Sequence, residues 1–226
     1  LSFIALVDGT NVVPLASSQD HKRLLDQDLG PNTGGMGAFS PSPALDEALY
    51  DRIMHEVMYP TVQSIAEQGL KFRGFLYAGL MLTERGPRVL EFNVRMGDPE
   101  TQPIMSRLKS DLAEVLWGAR NNTLPKTLDW DERSSVCLVL ASEGYPEKPV
   151  KGRVISGLDS AAEVSDSMVF HAATGLNESG DVITTGGRVL GVTALGDTLE
   201  DARVKAYEAA SRIHFDGMQI RYDIGS

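Results

Sequence analysis

Residues 90–100 read Leu-Glu-Phe-Asn-Val-Arg-Met-Gly-Asp-Pro-Glu, and this alternating run decides the fold. Side chains two residues apart share one face of a strand, so the polar Glu91, Asn93 and Arg95 are predicted to point to the same side. The apolar residues between them are predicted to pack in the core on the other side: Leu90, Phe92 and Val94. The Gly-Asp-Pro that follows permits a tight turn and ends the strand.

The polar face of this strand carries groups that suit a metal and an anion. Glu91 and Asn93 place two oxygen ligands about 7 Å apart along the strand, and Mg²⁺ prefers oxygen ligands while keeping water or phosphate in its other positions. The guanidinium of Arg95 can bind a carboxylate or phosphate, or stabilise an acyl phosphate. The spacing alone leaves open, and rather favours, a solvated polar face on which Arg95 pairs with Glu91 or Asp98.

A second candidate segment reads Gly-Pro-Asn-Thr-Gly-Gly-Met-Gly at residues 30–37. Three glycines in four residues allow the backbone to curl, so that successive N–H groups form an anion-binding nest. The segment is neither a Walker A loop nor a dinucleotide fingerprint, because neither pattern is completed. A mobile surface loop is the alternative. His21 lies upstream between Asp20 and Lys22, and is interpreted as a structural residue more readily than as a general base.

Around these segments the pattern predicts an α+β fold. Hairpins are predicted at residues 2–15 and 75–94, with a long functional loop at 16–41 between the first hairpin and the next helix. Three helices are predicted. The first begins at Ser42-Pro43, is interrupted at Pro60 and is ended by Gly69. The second covers 101–120 and has an inward face, and the third covers 199–213 and begins with a capping box, Thr198 with Asp201. Residues of the inward face of the second helix are Ile104, Leu108, Leu112, Val115 and Leu116. Further strands are predicted at 135–141, 168–173 and 188–194.

Composition limits the class of protein. The net charge is −10 and no Lys/Arg run occurs, which argues against a nucleic-acid partner or a membrane surface. No apolar stretch approaches the length of a membrane span, so we expect a cytoplasmic enzyme. The single cysteine, Cys137, lies in an apolar run and is predicted to be a buried small hydrophobe.

Three regions are predicted along the chain. Residues 1–122 form a first domain, 123–133 a linker and 134–226 a smaller α+β domain. The chain opens at Leu1 directly in a predicted strand, so we expect it to be a piece that begins within a larger fold.

The two candidate segments together resemble the glycinamide ribonucleotide synthetase family. Residues 20–23 and 30–41 are similar to that family's glycine loop, and residues 90–103 to its signature strand. Short motifs of the last hundred residues also match the family, at 144–146, 169–172, 186–190 and 221–225. The resemblance covers nearly the whole chain. Met96 and Phe39 depart from the family pattern without removing any reactive group.

The resemblance implies the C-terminal part of an ATP-grasp domain followed by a small C-terminal domain. It implies ATP and Mg²⁺ (or Mn²⁺), with glycine activated as an acyl phosphate and then attacked by phosphoribosylamine. Glu91 and Asn93 would be the metal ligands, and Arg95 with Asp98 would orient substrate or stabilise the acyl phosphate. The residues that would hold phosphoribosylamine, or alternatively glycine, are Asp20, Lys22, Asn32, Thr33, Gly34, Gly35, Met36 and Gly37.

The resemblance also implies what this chain lacks. The family's N-terminal domain and its phosphate-covering lid would precede Leu1, so we expect the fragment alone to be inactive and to require the N-terminal half of the same protein. Two other functions stay open: a different ATP-grasp carboxylate–amine ligase, and a non-catalytic module.

Overall fold

The chain passes repeatedly between two units, so neither unit is one stretch of sequence. The computed structural model describes residues 1–226. Unit 1 comprises Leu1–Gln19, Pro41–Gly97 and Leu108–Asp131. Unit 2 comprises Asp20–Ser40, Asp98–Arg107 and Glu132–Ser226.

Strands and helices alternate irregularly along the chain. The strands are β1 (Ser2–Val7), β2 (Val12–Pro14), β3 (Gln19–Asp20), β4 (Arg23–Leu25), β5 (Leu29–Asn32), β6 (Gly37–Ser40), β7 (Gly74–Thr83), β8 (Gly86–Asn93), β9 (Ser134–Ala141), β10 (Ser167–His171), β11 (Thr174–Leu176), β12 (Val182–Thr184) and β13 (Arg188–Gly196). The helices are α1 (Glu47–Ile53), α2 (Tyr59–Glu67), α3 (Thr101–Ser106), α4 (Leu112–Asn121), α5 (Leu158–Ala162) and α6 (Leu199–Ser211). This mixture confirms the predicted α+β class. No helix has the length and apolar character needed to cross a bilayer.

Unit 1 is built on a four-stranded antiparallel sheet in the order β2-β1-β7-β8. Both predicted hairpins are confirmed. The first turns on Asp8, whose carboxylate accepts hydrogen bonds from the backbone N–H groups of Thr10 and Asn11 at 3.0 and 2.8 Å. This side-chain-to-backbone bonding satisfies the turn locally, which is why Asp-Gly between apolar runs is a dependable signal.

The first long helix begins later than predicted. Asp46, not Ser42, caps it by accepting a hydrogen bond from the N–H of Leu49 at 2.7 Å, so α1 starts at Glu47. A π-helical stretch, Met54–Met58, then separates α1 from α2. Pro60 lacks an N–H and crowds the carbonyl four residues earlier, so a widened turn before it is the expected accommodation. The interruption predicted from Pro60 is confirmed.

The prediction of one continuous helix at 101–120 is wrong. The segment forms two helices, α3 and α4, and Asp111 caps the second by accepting from the N–H groups of Ala113 and Glu114. Ile104 and Val115 are buried as predicted, whereas Leu112 and Leu116 are exposed. The missed signal is Ser-Asp at 110–111, because an aspartate before an apolar run starts a helix rather than continuing one.

Unit 2 is built on a five-stranded sheet in the order β10-β13-β9-β6-β3. Helix α6 packs on its apolar face, and its predicted capping box, Thr198 with Asp201, is confirmed. Cys137 on β9 is fully buried as predicted, and burial raises the pKa of its thiol to about 12.

The prediction of a long loop at 16–41 is wrong. The segment contains four short strands, and β6 pairs with β9 inside the sheet of unit 2. A Cβ at Gly37 would lie 2.9 Å from the carbonyl oxygen of Cys137 and within 2.9 Å of Ile224, so only glycine fits there. The glycines that look like a loop signal therefore mark close packing. Because of this pairing the units divide the chain differently from the predicted regions 1–122, 123–133 and 134–226, which stay a prediction.

Arg221 anchors the hairpin of β4 and β5 within unit 2. Its side chain is 1% exposed and pairs with Asp28 at 2.9 Å and Asp223 at 2.7 Å. It also donates to the carbonyl of Arg23 at 3.1 Å. Asp223 in turn accepts from the N–H of Gln27 at 2.7 Å, so the C-terminal residues hold the tip of a hairpin far away in the sequence.

The ion pair of Arg221 with Asp223 predicts that the protein loses stability in acid. Hydrogen bonds from Arg221 lower the pKa of Asp223 from the ordinary value of an aspartate to about 2. A folded pKa below the unfolded one stabilises the protein above about pH 4, and the stabilisation, about 2 kcal/mol in full, is lost as pH falls toward 2. In Asp223→Asn the free energy of unfolding, measured by urea denaturation, should therefore depend less on pH between 5 and 3 than in wild type. Asp216→Asn, at an exposed carboxylate, is the control, and equal pH dependence in wild type and Asp223→Asn would contradict the assignment.

Candidate functional site

Glu91 and Asn93 lie on one face of β8 as predicted, but Arg95 lies beyond the end of the strand at Asn93, so its predicted place on that face is wrong. In the β7–β8 register Asn93 lies opposite Tyr77, and Glu91 lies opposite Gly79. Tyr77 and Gly79 are two residues apart on β7, so Glu91 and Asn93 share one face. A Cβ at Gly79 would lie 3.2 Å from the Cγ of Glu91, so the glycine leaves room for the glutamate to lie over β7.

The apolar side of β8 is not a core face, and this part of the prediction is wrong. Leu90, Phe92 and Val94 are 63%, 44% and 72% exposed. No other part of this chain covers these three side chains. β8 is the edge strand of its sheet in this chain, and its register shifts opposite Gly79 and Leu80, which leaves Leu90 as an extra residue. Alternation specified which side chains share a face, but not whether anything covers that face.

Arg95 and Asp98 belong to different units, although only two residues lie between them. Arg95 is exposed in unit 1 and donates to the carbonyl of Met96 at 2.9 Å. Asp98 lies in unit 2, where its carboxylate pairs with Arg188 at 2.9 Å. The partner of Asp98 is thus Arg188 on β13, which the sequence analysis did not predict as a site residue.

The glycine segment is held by hydrogen bonds instead of forming an open anion nest. The N–H of Gly35 donates to the hydroxyl of Thr33 at 2.9 Å, and the N–H of Met36 to the carbonyl of His21 at 2.8 Å. The N–H of Thr33 donates to the carbonyl of Lys22 at 2.7 Å. These donors are engaged by the protein, so the expectation of successive free N–H groups is not met.

The members of the segment divide by burial. Asn32 and Gly34 are exposed and Thr33 is partly exposed, like Asp20 upstream, while Lys22 is exposed. Met36 is fully buried, and Gly35 and Gly37 are also buried. The exposed members are therefore accessible to solvent, whereas the buried ones form the framework of the segment.

Two side chains from distant parts of unit 2 hold Gly34. The hydroxyl of Tyr145 accepts from its N–H at 2.8 Å, and Arg188 donates to its carbonyl at 2.8 Å. Sequence reasoning missed both residues as site members, although the motifs at 144–146 and 186–190 contain them. Nothing in their spacing signals that they meet at residue 34.

His21 is part of the framework. Its Nδ1 lies 3.4 Å from the guanidinium of Arg221, and its ring lies against Phe39 with centroids 5.9 Å apart. Burial, and then the positive charge of Arg221, lower the pKa of its imidazole. A neutral, half-buried ring fits the structural interpretation.

A divalent metal finds only a partial donor set here. No group of three or more His, Cys, Asp or Glu side chains comes together to hold an ion. The carboxylate of Glu91 and the amide oxygen of Asn93 are the oxygen donors that Mg²⁺ or Mn²⁺ accepts, and a pair of them fits an ion completed by phosphate oxygens and water.

Family models match most of the chain. The model described as phosphoribosylglycinamide synthetase, ATP-grasp (A) domain, matches residues 1–101, and the C domain model of the same synthetase matches residues 135–226. The chain belongs to the phosphoribosylglycinamide synthetase family. Its fold is accordingly the C-terminal part of an ATP-grasp domain followed by the family's C domain.

Named relatives agree with this family assignment. Phosphoribosylamine–glycine ligase from Neisseria meningitidis serogroup A is 56% identical over 99% of this chain and 53% of its own length. The chloroplastic enzyme of Arabidopsis thaliana is 52% identical over 99% of this chain and 43% of its length. The crystal structure of the same ligase from Thermotoga maritima superposes with a TM-score of 0.89 at 37% identity, over 99% of this chain and 55% of that one.

The chain thus spans about half the length of the curated relatives that it matches. A more distant likeness, to the biotin carboxylase subunit of pyruvate carboxylase, has a TM-score of 0.63 at 13% identity. It supports the family's ATP-grasp fold alone.

Two adjacent glycines of the segment should respond differently to alanine. At Gly35 the backbone φ is +117° and a Cβ would lie 2.5 Å from the Cδ of Pro99, so both conformation and packing oppose a side chain. At Gly34 a Cβ would lie 2.9 Å from the end of the Arg188 side chain, which can shift, although at the cost of its hydrogen bonds to Gly34 and Asp98. Gly35→Ala should destabilise the protein by about 2–4 kcal/mol and Gly34→Ala by less, about 1–2 kcal/mol. Thermal unfolding of both variants tests this, and a reversed order would contradict the packing described.

Proposed function

We propose that the full-length protein containing this chain is a phosphoribosylamine–glycine ligase. ATP would phosphorylate the glycine carboxylate, the amine of phosphoribosylamine would attack the acyl phosphate, and ADP and phosphate would leave. The observation that carries the proposal is the run of relatives with this name that are 52–56% identical across 99% of the chain. A cytoplasmic location is part of the proposal and rests on composition alone.

Glu91 and Asn93 are the proposed metal ligands. They share one face of the β8 edge strand, where Glu91 is exposed and Asn93 partly exposed, and Gly79 opposite makes room for the glutamate. Bound Mg²⁺ or Mn²⁺ would supply charge neutralisation at the phosphates of ATP. The protein's own part is to hold the two oxygen donors on a strand, where the backbone fixes their separation.

Arg95 and Asp98 are proposed to orient substrate near the reacting carboxylate. Arg95 is exposed and presents a guanidinium, which suits a carboxylate or an acyl phosphate. The carboxylate of Asp98 is fixed by Arg188, so it presents acceptor oxygens in a defined place. An amine substrate is a suitable donor to them.

The glycine segment is proposed to hold phosphoribosylamine. Asp20, Lys22, Asn32 and Thr33 supply its accessible side chains, while Gly34, Gly35, Met36 and Gly37 set the course of the backbone. Glycine as the ligand of this segment is the alternative within the same enzyme.

The chain alone is proposed to be inactive. It spans about half of its relatives' length, and the proposed activity belongs to the whole protein. The partner that it requires is therefore the remaining part of the same polypeptide.

ADP release by the full-length protein tests the proposal. ADP should form only when ATP, Mg²⁺, glycine and freshly made phosphoribosylamine are all present. Glu91→Ala should lower kcat by roughly 100-fold or more, because a charged oxygen donor to the metal is lost. Glu84→Ala, at an exposed carboxylate in the β7–β8 turn, should keep wild-type rates.

Other outcomes would redirect the assignment. ADP release that does not depend on glycine would point to a different carboxylate–amine ligase. Wild-type activity in Glu91→Ala would remove the metal role and favour a non-catalytic role for this half of the protein.

A further inference from the structure

Arg188 makes three hydrogen bonds that join two separate segments of unit 2. Its Nη1 donates to the carbonyl of Gly34 at 2.8 Å and to the carbonyl of Asp98 at 2.7 Å. Its Nη2 donates to the carboxylate of Asp98 at 2.9 Å. One planar guanidinium thus fixes the glycine segment, the backbone at Asp98 and the direction of the Asp98 side chain.

The site around Arg188 is shaped to receive it. The side chain is 22% exposed. A Cβ at residue 34 would lie only 2.9 Å from the Cζ of Arg188, so a glycine at 34 permits the guanidinium to approach this closely. A lysine could not reproduce this contact, because an ammonium has no flat face and no fork of donors.

Tyr145 binds the backbone N–H of Gly34, the residue whose carbonyl Arg188 binds. Its hydroxyl accepts from the N–H of Gly34 at 2.8 Å, while Arg188 takes the carbonyl. The two side chains are placed together by Gly187, since a Cβ there would lie 2.3 Å from the ring of Tyr145. Ser142 fixes the turn before β13 by donating its hydroxyl to the carbonyl of Gly186 at 2.8 Å.

We propose that Arg188 and Tyr145 are positioning residues, which clamp Gly34 and the Asp98 carboxylate in the arrangement that the phosphoribosylamine subsite requires. The inference rests on the proposed function and adds two residues of the C domain to the site. Neither residue needs to touch the substrate. Their effect is to keep the exposed groups at 32–34 and the oxygens of Asp98 from moving apart, and small displacements of such groups cost large factors in rate.

The clamp predicts a selective change in the kinetics of the full-length protein. Arg188→Met should raise KM for phosphoribosylamine at least tenfold, with KM for ATP changed less than twofold. Arg188→Lys should fall between Arg188→Met and wild type, because one charged donor is kept and the fork is lost. Arg212→Met is the matched control. Arg212 also combines an ion pair, to Glu208, with a bond to a backbone carbonyl, that of Ser160, on helices that contain no site residue.

A second measurement does not depend on activity. Hydrogen exchange of a peptide covering residues 29–37 should become at least tenfold faster in Arg188→Met and in Tyr145→Phe, and stay unchanged in Arg212→Met. The double variant should raise KM by less than the product of the single effects, because both side chains restrain the same residue.

The outcomes separate the inference from the proposed function. Wild-type KM values and wild-type exchange in Arg188→Met would overturn the clamp, and so would an equal rise in all KM values with a fall in Tm. A wild-type protein without glycine-dependent ADP release would overturn the proposed function. The exchange rates would then still decide whether Arg188 and Tyr145 hold the segment.

Discussion

Strand β6 lies so close to β9 that only glycine fits at position 37, and the rest of unit 2 depends on this pairing. It places a segment from the first fifth of the chain inside a sheet whose other strands come mostly from the last hundred residues. Because β6 is fixed, the residues just before it run past the start of β13, where Arg188 and Tyr145 bind Gly34. Each of the three glycines thus allows a different group to come close: the guanidinium of Arg188 at Gly34, the ring of Pro99 at Gly35, and strand β9 at Gly37.

The C-terminal residues secure the opposite end of the same segment. Arg221 reaches Asp28, 193 positions earlier in the chain, and the N–H of Tyr222 donates to Asp26 at 2.8 Å. A buried guanidinium is stable only when its donors are satisfied, and here two carboxylates and a carbonyl satisfy them. The C domain therefore does more than follow the ATP-grasp domain in sequence. It builds the frame on which the glycine segment is carried.

Local signals made much of this fold predictable, while the contacts of the site were not. Asp8 specifies its hairpin and Thr198 its helix because each bonds to backbone within three residues. Arg188 contacts Gly34 although the two residues are 154 positions apart in the sequence, and no rule of sequence spacing predicts such a contact. Likewise, alternation in β8 placed Glu91 and Asn93 on one face correctly. It was wrong about burial, because whether a face is covered depends on the rest of the fold and not on the strand.

The motif at 90–103 looks like one functional unit in sequence, yet the structure divides it between two tasks. Up to Gly97 it belongs to unit 1 and presents oxygen donors on an edge strand. From Asp98 onward it belongs to unit 2, where Asp98 is bound by Arg188 and Pro99 packs against Gly35. A substitution at Glu91 and one at Asp98 should therefore fail for different reasons, the first by loss of a donor and the second by release of the glycine segment. A contiguous motif is then evidence for a shared site, but the physical role of each member has to be taken from its own contacts.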